Sequence, residues 1–261
     1  MSDRRQRQKE QRAAKREAER KRDARRELLR RLGTALVFGA IVVGIFAFGG
    51  LFGSDESDLP GTYEDYRDQA TACGAEQPPS EQVMTFDVAG QVAELANATE
   101  AVATIATSCG EIEIDLNLDA SATVNSFVFL ANQGFYDGQV IHRISENFVF
   151  QGGDPNADGT GGPGYVIADE FPPDDFVYVE GVVAMANRGS RSTGSQFFVV
   201  TGDDGRFLTN NFNVLGTVLS GQDAIDAIMD VETATAPGSV EKSLPLESVY
   251  IESITVDISG S

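Results

Sequence analysis

The sequence predicts a mainly β domain, a closed antiparallel β-barrel capped by two α-helices, with one transmembrane helix before it. Three observations carry this prediction: an uncharged run at 32–53, many short β-rich runs beyond residue 100, and only two stretches with helical periodicity. A parallel sheet would need a helix between successive strands, so two isolated helices among many strands favour a barrel. A chain of 261 residues holds one such domain with extensions.

The segment 32–53 is predicted to span a membrane. Its 22 residues contain no charged side chain, and at helical rise they reach about 33 Å, which exceeds a hydrocarbon core of roughly 30 Å. Residues 1–31 contain 14 Lys/Arg and six Asp/Glu. This basic flank predicts a single-pass protein of the cytoplasmic (plasma) membrane, with the N-terminus inside and the domain outside. A cleaved signal peptide is the alternative, although its charged and apolar regions would both be unusually long.

The rest of the chain is strongly acidic. Beyond residue 31 it carries 34 Asp/Glu and only six Lys/Arg, a balance that repels phosphates and excludes nucleic acid as a partner of the exported domain. Residues 54–100 form an acidic linker or N-terminal extension, and residues 101–261 form the folded domain.

The two cysteines, Cys73 and Cys109, both fall on the outer side. They are candidates for a disulfide, with two unpaired thiols as the alternative.

The elements of the domain follow from hydrophobic periodicity. Residues 101–116 alternate apolar and polar side chains on both sides of a Ser-Cys-Gly turn, which predicts two strands. A helix is predicted next, with Ser121 as its N-cap and Gly134 at its end. Its apolar stripe is Val124, Phe127, Val128 and Ala131. The remaining predictions are strands at 140–144, 148–151, 177–186, 196–201 and 213–219, a helix at 222–230, and a strand pair at 247–258.

Several kinds of chemistry are excluded by missing residues. The chain has one histidine, His142, and no G-x-S-x-G motif, so neither a hydrolase triad nor a zinc site can be assembled. The loop 152–164 contains D-x-N-x-D-G, typical of calcium loops, but Tyr165 stands where a bidentate Glu is required. The simpler interpretation is a glycine-rich turn. We therefore predict neither a metal nor a cofactor.

Four motifs together identify a family. They are FYDGQVIHRISENFVFQGGD (135–154), GTGG (159–162), VVAMANRGSRSTGSQFF (182–198) and RFLTNNFNVLGTV (206–218). In this order, over about 101–258, the chain resembles the cyclophilin-type peptidyl-prolyl cis–trans isomerases. The resemblance implies an eight-stranded antiparallel barrel capped by two helices. It also implies turnover of Xaa-Pro bonds without a cofactor or a covalent intermediate.

The resemblance also implies the site residues. Arg143 matches the essential arginine, and Gln151 matches the glutamine that positions substrate and arginine, with Phe148 beside them. The proline pocket would be walled by Phe148, Val149, Phe198 and Leu208. The groove would be lined by Gly159, Thr160, Ala186, Asn187, Gln196, Phe207 and Phe212. Arg188 departs from the family, because that position is usually small, and this change bears on peptide preference and on binding of a cyclosporin-type ligand.

The chemistry of proline isomerisation is consistent with this assignment. A twisted prolyl amide gains a lone pair on nitrogen, and a guanidinium binds that state more strongly than the planar one. Arg143 could instead be a structural cation paired with one of the many acids. The resulting prediction is an isomerase that acts on proline-containing exported or cell-surface proteins and contacts the lipid bilayer through 32–53. The alternative is a proline-peptide binding module with incidental turnover.

Overall fold

The computed structural model describes residues 59–77, 84–236 and 238–260. The basic tail 1–31 and the predicted membrane span 32–53 lie outside these ranges, so both remain predictions. In the part of the chain that is described, no helix combines the length and the apolar character needed to cross a membrane.

Ten strands and three α-helices make up the described fold. The strands are β1 (Glu100–Thr107), β2 (Gly110–Leu116), β3 (Arg143–Ser145), β4 (Val149–Gly152), β5 (Val182–Met185), β6 (Phe197–Val200), β7 (Val214–Ser220), β8 (Thr233–Thr235), β9 (Lys242–Pro245) and β10 (Ile251–Ser259). The helices are α1 (Tyr63–Asp68), α2 (Ser121–Asn132) and α3 (Gln222–Met229), and short 3₁₀ helices lie at Ala72–Gly74, Ala93–Asn97 and Asp203–Phe207.

Eight of these strands form one curled antiparallel sheet in the order β10-β1-β2-β7-β5-β6-β4-β3. The eight-stranded antiparallel sheet is therefore confirmed, but its hydrogen-bonded ladder is open between β3 and β10. The segments just before these two edge strands meet instead. Val140 and Tyr250 form an antiparallel bridge, and the Ile141 and Ile251 amides donate to the carbonyls of Val249 and Gln139, both at 2.8 Å.

The strand pattern read from the sequence is seen in the burial of β1 and β2. In β2 the side chains of Ile112, Ile114 and Leu116 are buried, and the acidic residues between them are exposed. Strand pleating turns alternate side chains to opposite faces, so apolar residues at every second position supply one wall of the interior core. Thr107 and Gly110 pair across the two-residue turn that joins β1 to β2.

The predicted helix from residue 121 is present, but its N-cap prediction is wrong. The cap position is Ala120, whose side chain makes no capping bond, and Ser121 is already helical. The carboxylate of Glu170 takes the place of a local cap. It accepts the amides of Ala122 at 3.0 Å and Thr123 at 2.8 Å. A remote carboxylate satisfies the free N–H groups of a helix start as well as a local hydroxyl does, and its charge favours the positive end of the helix dipole.

The C-terminal half of α2 agrees with the prediction. The apolar stripe Val124, Phe127, Val128 and Ala131 is buried in the interior core. Gly134, with a φ of +68°, ends the helix. Its amide donates to Ala131, and the amide of Phe135 donates to Leu130, the paired bonds of a Schellman motif.

The segment before the barrel contains a helix that the sequence pattern did not indicate. Helix α1 begins with a capping box between Thr62 and Asp65. Its two buried side chains, Tyr63 and Tyr66, donate hydrogen bonds to the barrel, to the carbonyls of Gly138 at 2.9 Å and His142 at 3.1 Å respectively. The acidic segment between residues 54 and 100 is thus packed on the barrel at this point.

A disulfide joins this segment to the first hairpin. Cys73, in the short 3₁₀ helix after α1, is bonded to Cys109 in the turn between β1 and β2. The N-terminal segment is therefore linked covalently to the sheet as well as by the tyrosine hydrogen bonds.

Strands β8 and β9 were not anticipated. They form a separate two-stranded sheet, and β9 packs against β3. Their side chains are mostly only half-buried, so alternating burial is weak there. This hairpin therefore lies beside β3, the edge strand of the main sheet whose first residue is Arg143.

His142 lies in the barrel wall directly before β3 and is 8% exposed. Its Nδ1 is buried, with no hydrogen-bond partner among the described residues. Burial lowers the pKa of His142, the charge of Asp154 opposes this shift, and the charge of Arg143 adds to it. The neutral imidazole is therefore favoured in the folded state.

We expect loss of the disulfide to destabilise the domain. A Cys73→Ser/Cys109→Ser variant frees a loop with a sequence separation of 36, and the unfolded chain gains entropy worth roughly 3–4 kcal/mol. Urea unfolding of the parent with and without reductant, beside the double variant, measures this effect. Reductant should lower the stability of the parent and leave the variant unchanged. Equal stability of parent and variant would contradict the prediction.

We expect His142 to make the domain less stable as pH falls. The unfolded histidine takes up a proton near its ordinary pKa of 6.5, whereas the buried one resists it. Below about pH 6.5 the free energy of unfolding should therefore fall, by up to about 1.4 kcal/mol per pH unit for one proton. Thermal unfolding between pH 7.5 and 5.5 should show a shallower decline for His142→Gln. The same slope in both proteins would show that His142 does not contribute.

Candidate active site

Two of the three predicted catalytic residues, Arg143 and Gln151, lie in one row with a predicted pocket residue across neighbouring strands, and the third, Phe148, directly precedes β4. Arg143 of β3 pairs with Gln151 of β4, Gln151 pairs with Phe198 of β6, and Phe198 pairs with Ala184 of β5. Directly paired residues of an antiparallel sheet point to the same face. The register therefore brings together a cation, an amide and an aromatic ring from three different strands.

The opposite face of the same strands builds the interior core. Ile144 is paired with Phe150, and Phe150 with Val199, and all three belong to the buried core of the barrel. The site thus occupies the outer face of the sheet, while the residues between its members fill the inside. This accounts for a permanent cation beside Ile144, because Ile144 points inward and Arg143 points outward. Ile141, which precedes β3, also belongs to the buried core.

The apolar residues that the resemblance assigned to a proline pocket form a second cluster, separate from the interior core. Its buried members are Phe148, Val149, Tyr178, Val182, Ala184, Phe198, Val200 and Val214, with Phe176, Ala186, Leu208 and Phe212 packed at its edge. The rings of Phe198 and Phe212 meet edge to face with centroids 5.5 Å apart. The cluster provides an apolar surface of the kind that would hold a pyrrolidine ring.

A chain of hydrogen bonds links the Arg143 guanidinium to two glutamine side chains and a backbone carbonyl. Arg143 donates from Nη1 to Gln151 Oε1 at 3.2 Å, Gln151 donates to Gln196 Oε1 at 2.9 Å, and Gln196 donates to the Gly161 carbonyl at 2.9 Å. The Cζ of Arg143 lies 5.3 Å from the centroid of the Phe148 ring. The guanidinium is therefore positioned at the border between the amide chain and the apolar cluster.

Arg143 also has an acidic partner, Glu241, in the loop between β8 and β9. The Nη2 to Oε1 distance is 2.7 Å, and Nε donates to Oε2 at 2.9 Å. The two roles weighed for Arg143, a paired cation and a site cation, thus coexist. Nothing in the sequence singled out Glu241, because it lies 98 residues from Arg143 and is one of 40 acidic residues.

The rim residues at 159–160 are held by the loop before them. Asp154, fully buried, accepts the amides of Asn156 at 2.9 Å and Gly159 at 2.5 Å. Asp158 accepts the amide and the hydroxyl of Thr160 at 2.7 and 2.5 Å. These carboxylates serve the turn itself, and among the described residues no group of three or more His, Cys, Asp or Glu could hold a metal ion. Both carboxylates thus bind groups of the glycine-rich turn itself.

The opposite rim is built from residues 186–188. Asn187 donates to the Asn211 carbonyl at 2.8 Å, which links two loops of the groove. Arg188 is exposed and reaches across to donate from Nη2 to the Gly159 carbonyl at 2.5 Å. The unusual arginine thus links the two segments that the resemblance assigns to the rims.

The motif QGGD has a steric explanation. Gly153 has a φ of +80°, and a Cβ at this position would lie 2.5 Å from the Ser195 carbonyl oxygen. A larger residue would push β4 away from the segment that carries Gln196, and the amide chain would be broken.

One predicted groove residue lies apart from the others. The side chain of Phe207 is 67% exposed and does not belong to the apolar cluster, because it ends the 3₁₀ helix Asp203–Phe207 and its neighbour Leu208 turns inward instead. Two aromatic residues that the sequence did not indicate, Phe176 and Tyr178, join the cluster. Tyr178 sits in a segment predicted as a strand and supports the site by donating to the Phe212 carbonyl at 2.7 Å.

Comparison with known proteins agrees with this architecture. The family model "Cyclophilin type peptidyl-prolyl cis-trans isomerase/CLD" matches residues 102–256. The chain is 38% identical over 178 residues to peptidyl-prolyl cis-trans isomerase B of Streptomyces anulatus, covering 61% of this chain and 98% of that protein. It is 37% identical over 173 residues to peptidyl-prolyl cis-trans isomerase A of Mycobacterium tuberculosis, covering 60% of this chain and 92% of that protein.

A solved structure shows the same fold. The crystal structure of a cyclophilin-type peptidyl-prolyl cis-trans isomerase of Cryptosporidium parvum superposes with a TM-score of 0.54 at 23% sequence identity, covering 60% of this chain and 98% of that one. The same protein has been solved in the presence of the dipeptide Ala-Pro. The sheet, the matched family model and the relatives lead to one conclusion: this chain belongs to the cyclophilin family and is a peptidyl-prolyl cis–trans isomerase.

Proposed function

We propose that Arg143 catalyses rotation about an Xaa-Pro bond whose proline ring is bound by Phe148, Phe198 and Leu208. The observation that carries this proposal is the position of the guanidinium, hydrogen-bonded to Gln151 at 3.2 Å and 5.3 Å from the Phe148 ring. The nitrogen of the reacting amide belongs to the proline ring itself. When the apolar pocket holds that ring, a cation at the edge of the pocket therefore lies next to the amide.

The barrier to rotation is electronic. An Xaa-Pro amide is planar because nitrogen shares its lone pair with the carbonyl, and breaking this resonance costs about 18–20 kcal/mol. In the twisted state the lone pair returns to nitrogen, which becomes pyramidal and basic. A guanidinium N–H aimed at that nitrogen stabilises the twisted state more than the planar one, and only such a difference accelerates the reaction.

The remainder of the site prepares the substrate. The apolar cluster around Phe198 removes water that would otherwise stabilise the more polar planar amide. The amides of Gln151 and Gln196 offer hydrogen bonds near the bound backbone, and their mutual bond at 2.9 Å fixes both orientations. The reaction requires no proton transfer, so the buried His142 has no catalytic task in it.

The proposed substrates are exported or cell-surface proteins with exposed Xaa-Pro bonds. The support is the uncharged run 32–53 with the basic segment 1–31 before it, which together have the composition of an uncleaved, N-in membrane anchor. An isomerase domain anchored in this way would lie next to chains that emerge unfolded from the membrane, where slow proline isomerisation limits folding.

We expect Arg143→Ala to lower kcat/KM by about a hundredfold, since removal of one preorganised donor typically costs that much. Exchange of an uncharged Xaa-Pro peptide measured by NMR gives the rate, and titration of the same peptide gives its affinity. Affinity should change little, because the apolar cluster is intact. Arg191→Ala, which removes an exposed arginine, is the matched control. Parental turnover by Arg143→Ala would overturn the proposed role of the arginine.

We expect the full-length chain to remain with membranes after alkaline extraction and the domain to be digested by protease added from the outside. The matched variant carries Val42→Lys and Ile45→Lys within the span. Each lysine costs about 2.5–3.5 kcal/mol at the centre of a membrane helix, so this variant should lose membrane insertion. Recovery of the unmodified chain in the soluble fraction would contradict the proposed anchor.

A further inference from the structure

Glu241 is the acidic residue that reaches the site from outside the main sheet. It immediately precedes β9, in the loop that joins β8 to β9, and β9 packs on β3, which carries Arg143. Ser239 binds the backbone of Glu241 twice: the Glu241 amide donates to the Ser239 hydroxyl at 3.0 Å, and that hydroxyl donates to the Glu241 carbonyl at 3.3 Å. Ser239 therefore fixes the backbone of Glu241 on both its amide and its carbonyl side.

The pairing between Glu241 and Arg143 is bidentate and side-on. Nη2 donates to Oε1 at 2.7 Å, and Nε donates to Oε2 at 2.9 Å. Each carboxylate oxygen also accepts one hydroxyl, from Ser145 at 2.9 Å and from Ser243 at 3.1 Å respectively. Two parallel N–H bonds define the plane of a guanidinium as well as its position.

The surroundings keep Glu241 ionised. The side chains of Arg143 and Glu241 are 23% and 16% exposed, so the pair is partly shielded from water. Burial alone would raise the pKa of Glu241. The hydrogen bonds and the charge of Arg143, with the hydroxyls of Ser145 and Ser243, outweigh it, and the pKa lies below its ordinary value. At neutral pH the carboxylate is thus available to hold the arginine.

We infer that Glu241 is a positioning residue for Arg143: it holds the Nε–Nη2 edge of the guanidinium while Gln151 holds Nη1, which directs the plane of the guanidinium at the prolyl amide. This inference rests on the proposed catalytic role of Arg143. An arginine side chain has several rotatable bonds and loses up to about 2 kcal/mol of rotamer freedom when it is fixed. Hydrogen bonds to Glu241 and Gln151 already restrict the Arg143 side chain before substrate binds. The loss of rotamer freedom is therefore not added to the activation free energy of isomerisation.

The test is Glu241→Gln, which keeps the size of the side chain and removes its charge and one of its two acceptors. We expect kcat to fall roughly tenfold or more, because a misdirected catalytic group loses up to a hundredfold. KM for an uncharged Xaa-Pro peptide should stay within about twofold, because the substrate contacts the apolar cluster and not Glu241. The matched control is Glu232→Gln, the same change at an exposed residue directly before β8, which should keep parental kinetics.

A double-mutant cycle separates positioning from a structural role. In an Arg143→Ala background Glu241 has no arginine to direct, so adding Glu241→Gln should leave the residual exchange rate unchanged. A role in holding the hairpin or the fold would lower the rate further in that background. Additive losses would therefore overturn the inference, as would parental or increased kcat in Glu241→Gln.

Failure of the catalytic proposal and failure of the positioning inference give different results. If Arg143→Ala retains full activity, the catalytic proposal fails. If Arg143→Ala is impaired and Glu241→Gln is not, only the positioning inference fails. Should Glu241→Gln not fold, Ser243→Ala tests the same contact more mildly. It removes one hydroxyl from Oε2 and should lower kcat about threefold without changing KM, and an unchanged kcat would count against the inference.

Discussion

The antiparallel register of β3, β4 and β6 is the constraint on which the site depends. Because strand side chains alternate between faces, the register that places Ile144 and Phe150 in the barrel interior necessarily places Arg143 and Gln151 on the outer face. A slip of one residue would bury the cation in the core and expose the hydrophobic residues. Folding of the core and assembly of the site are therefore one event.

The choice of a carboxylate partner for Arg143 is a second constraint on the site. The described domain is rich in carboxylates, and any of them could attract a cation at long range, yet a bidentate geometry selects Glu241 for Arg143. Shape and hydroxyl donors decide this pairing, since Coulomb attraction alone is weakly directional and is screened by water. The same principle operates at α2, where Glu170 binds two free amides of a helix start.

The N-terminal segment connects the barrel to the chain before it. The Tyr63 and Tyr66 hydroxyls of helix α1 bind the segment before β3, and the Cys73–Cys109 disulfide joins the 3₁₀ helix after α1 to the β1–β2 turn. A segment whose composition resembles a flexible linker is thereby held against the domain at residues 63–73.

The sequence by itself determined what depends on local pattern. Many short β-rich runs with only two helical stretches predicted the fold class, and the motifs around residues 141–154 and 182–198 predicted that Arg143, Gln151, Phe148 and Phe198 lie close together. The tertiary structure alone decided the partners that come from distant segments: Glu241 for Arg143, and Glu170 in place of Ser121 at the start of α2. The physical reason is that periodicity reports which face a residue occupies, whereas a salt bridge or cap formed across 47 or 98 residues depends on where two loops meet once the sheet has curled.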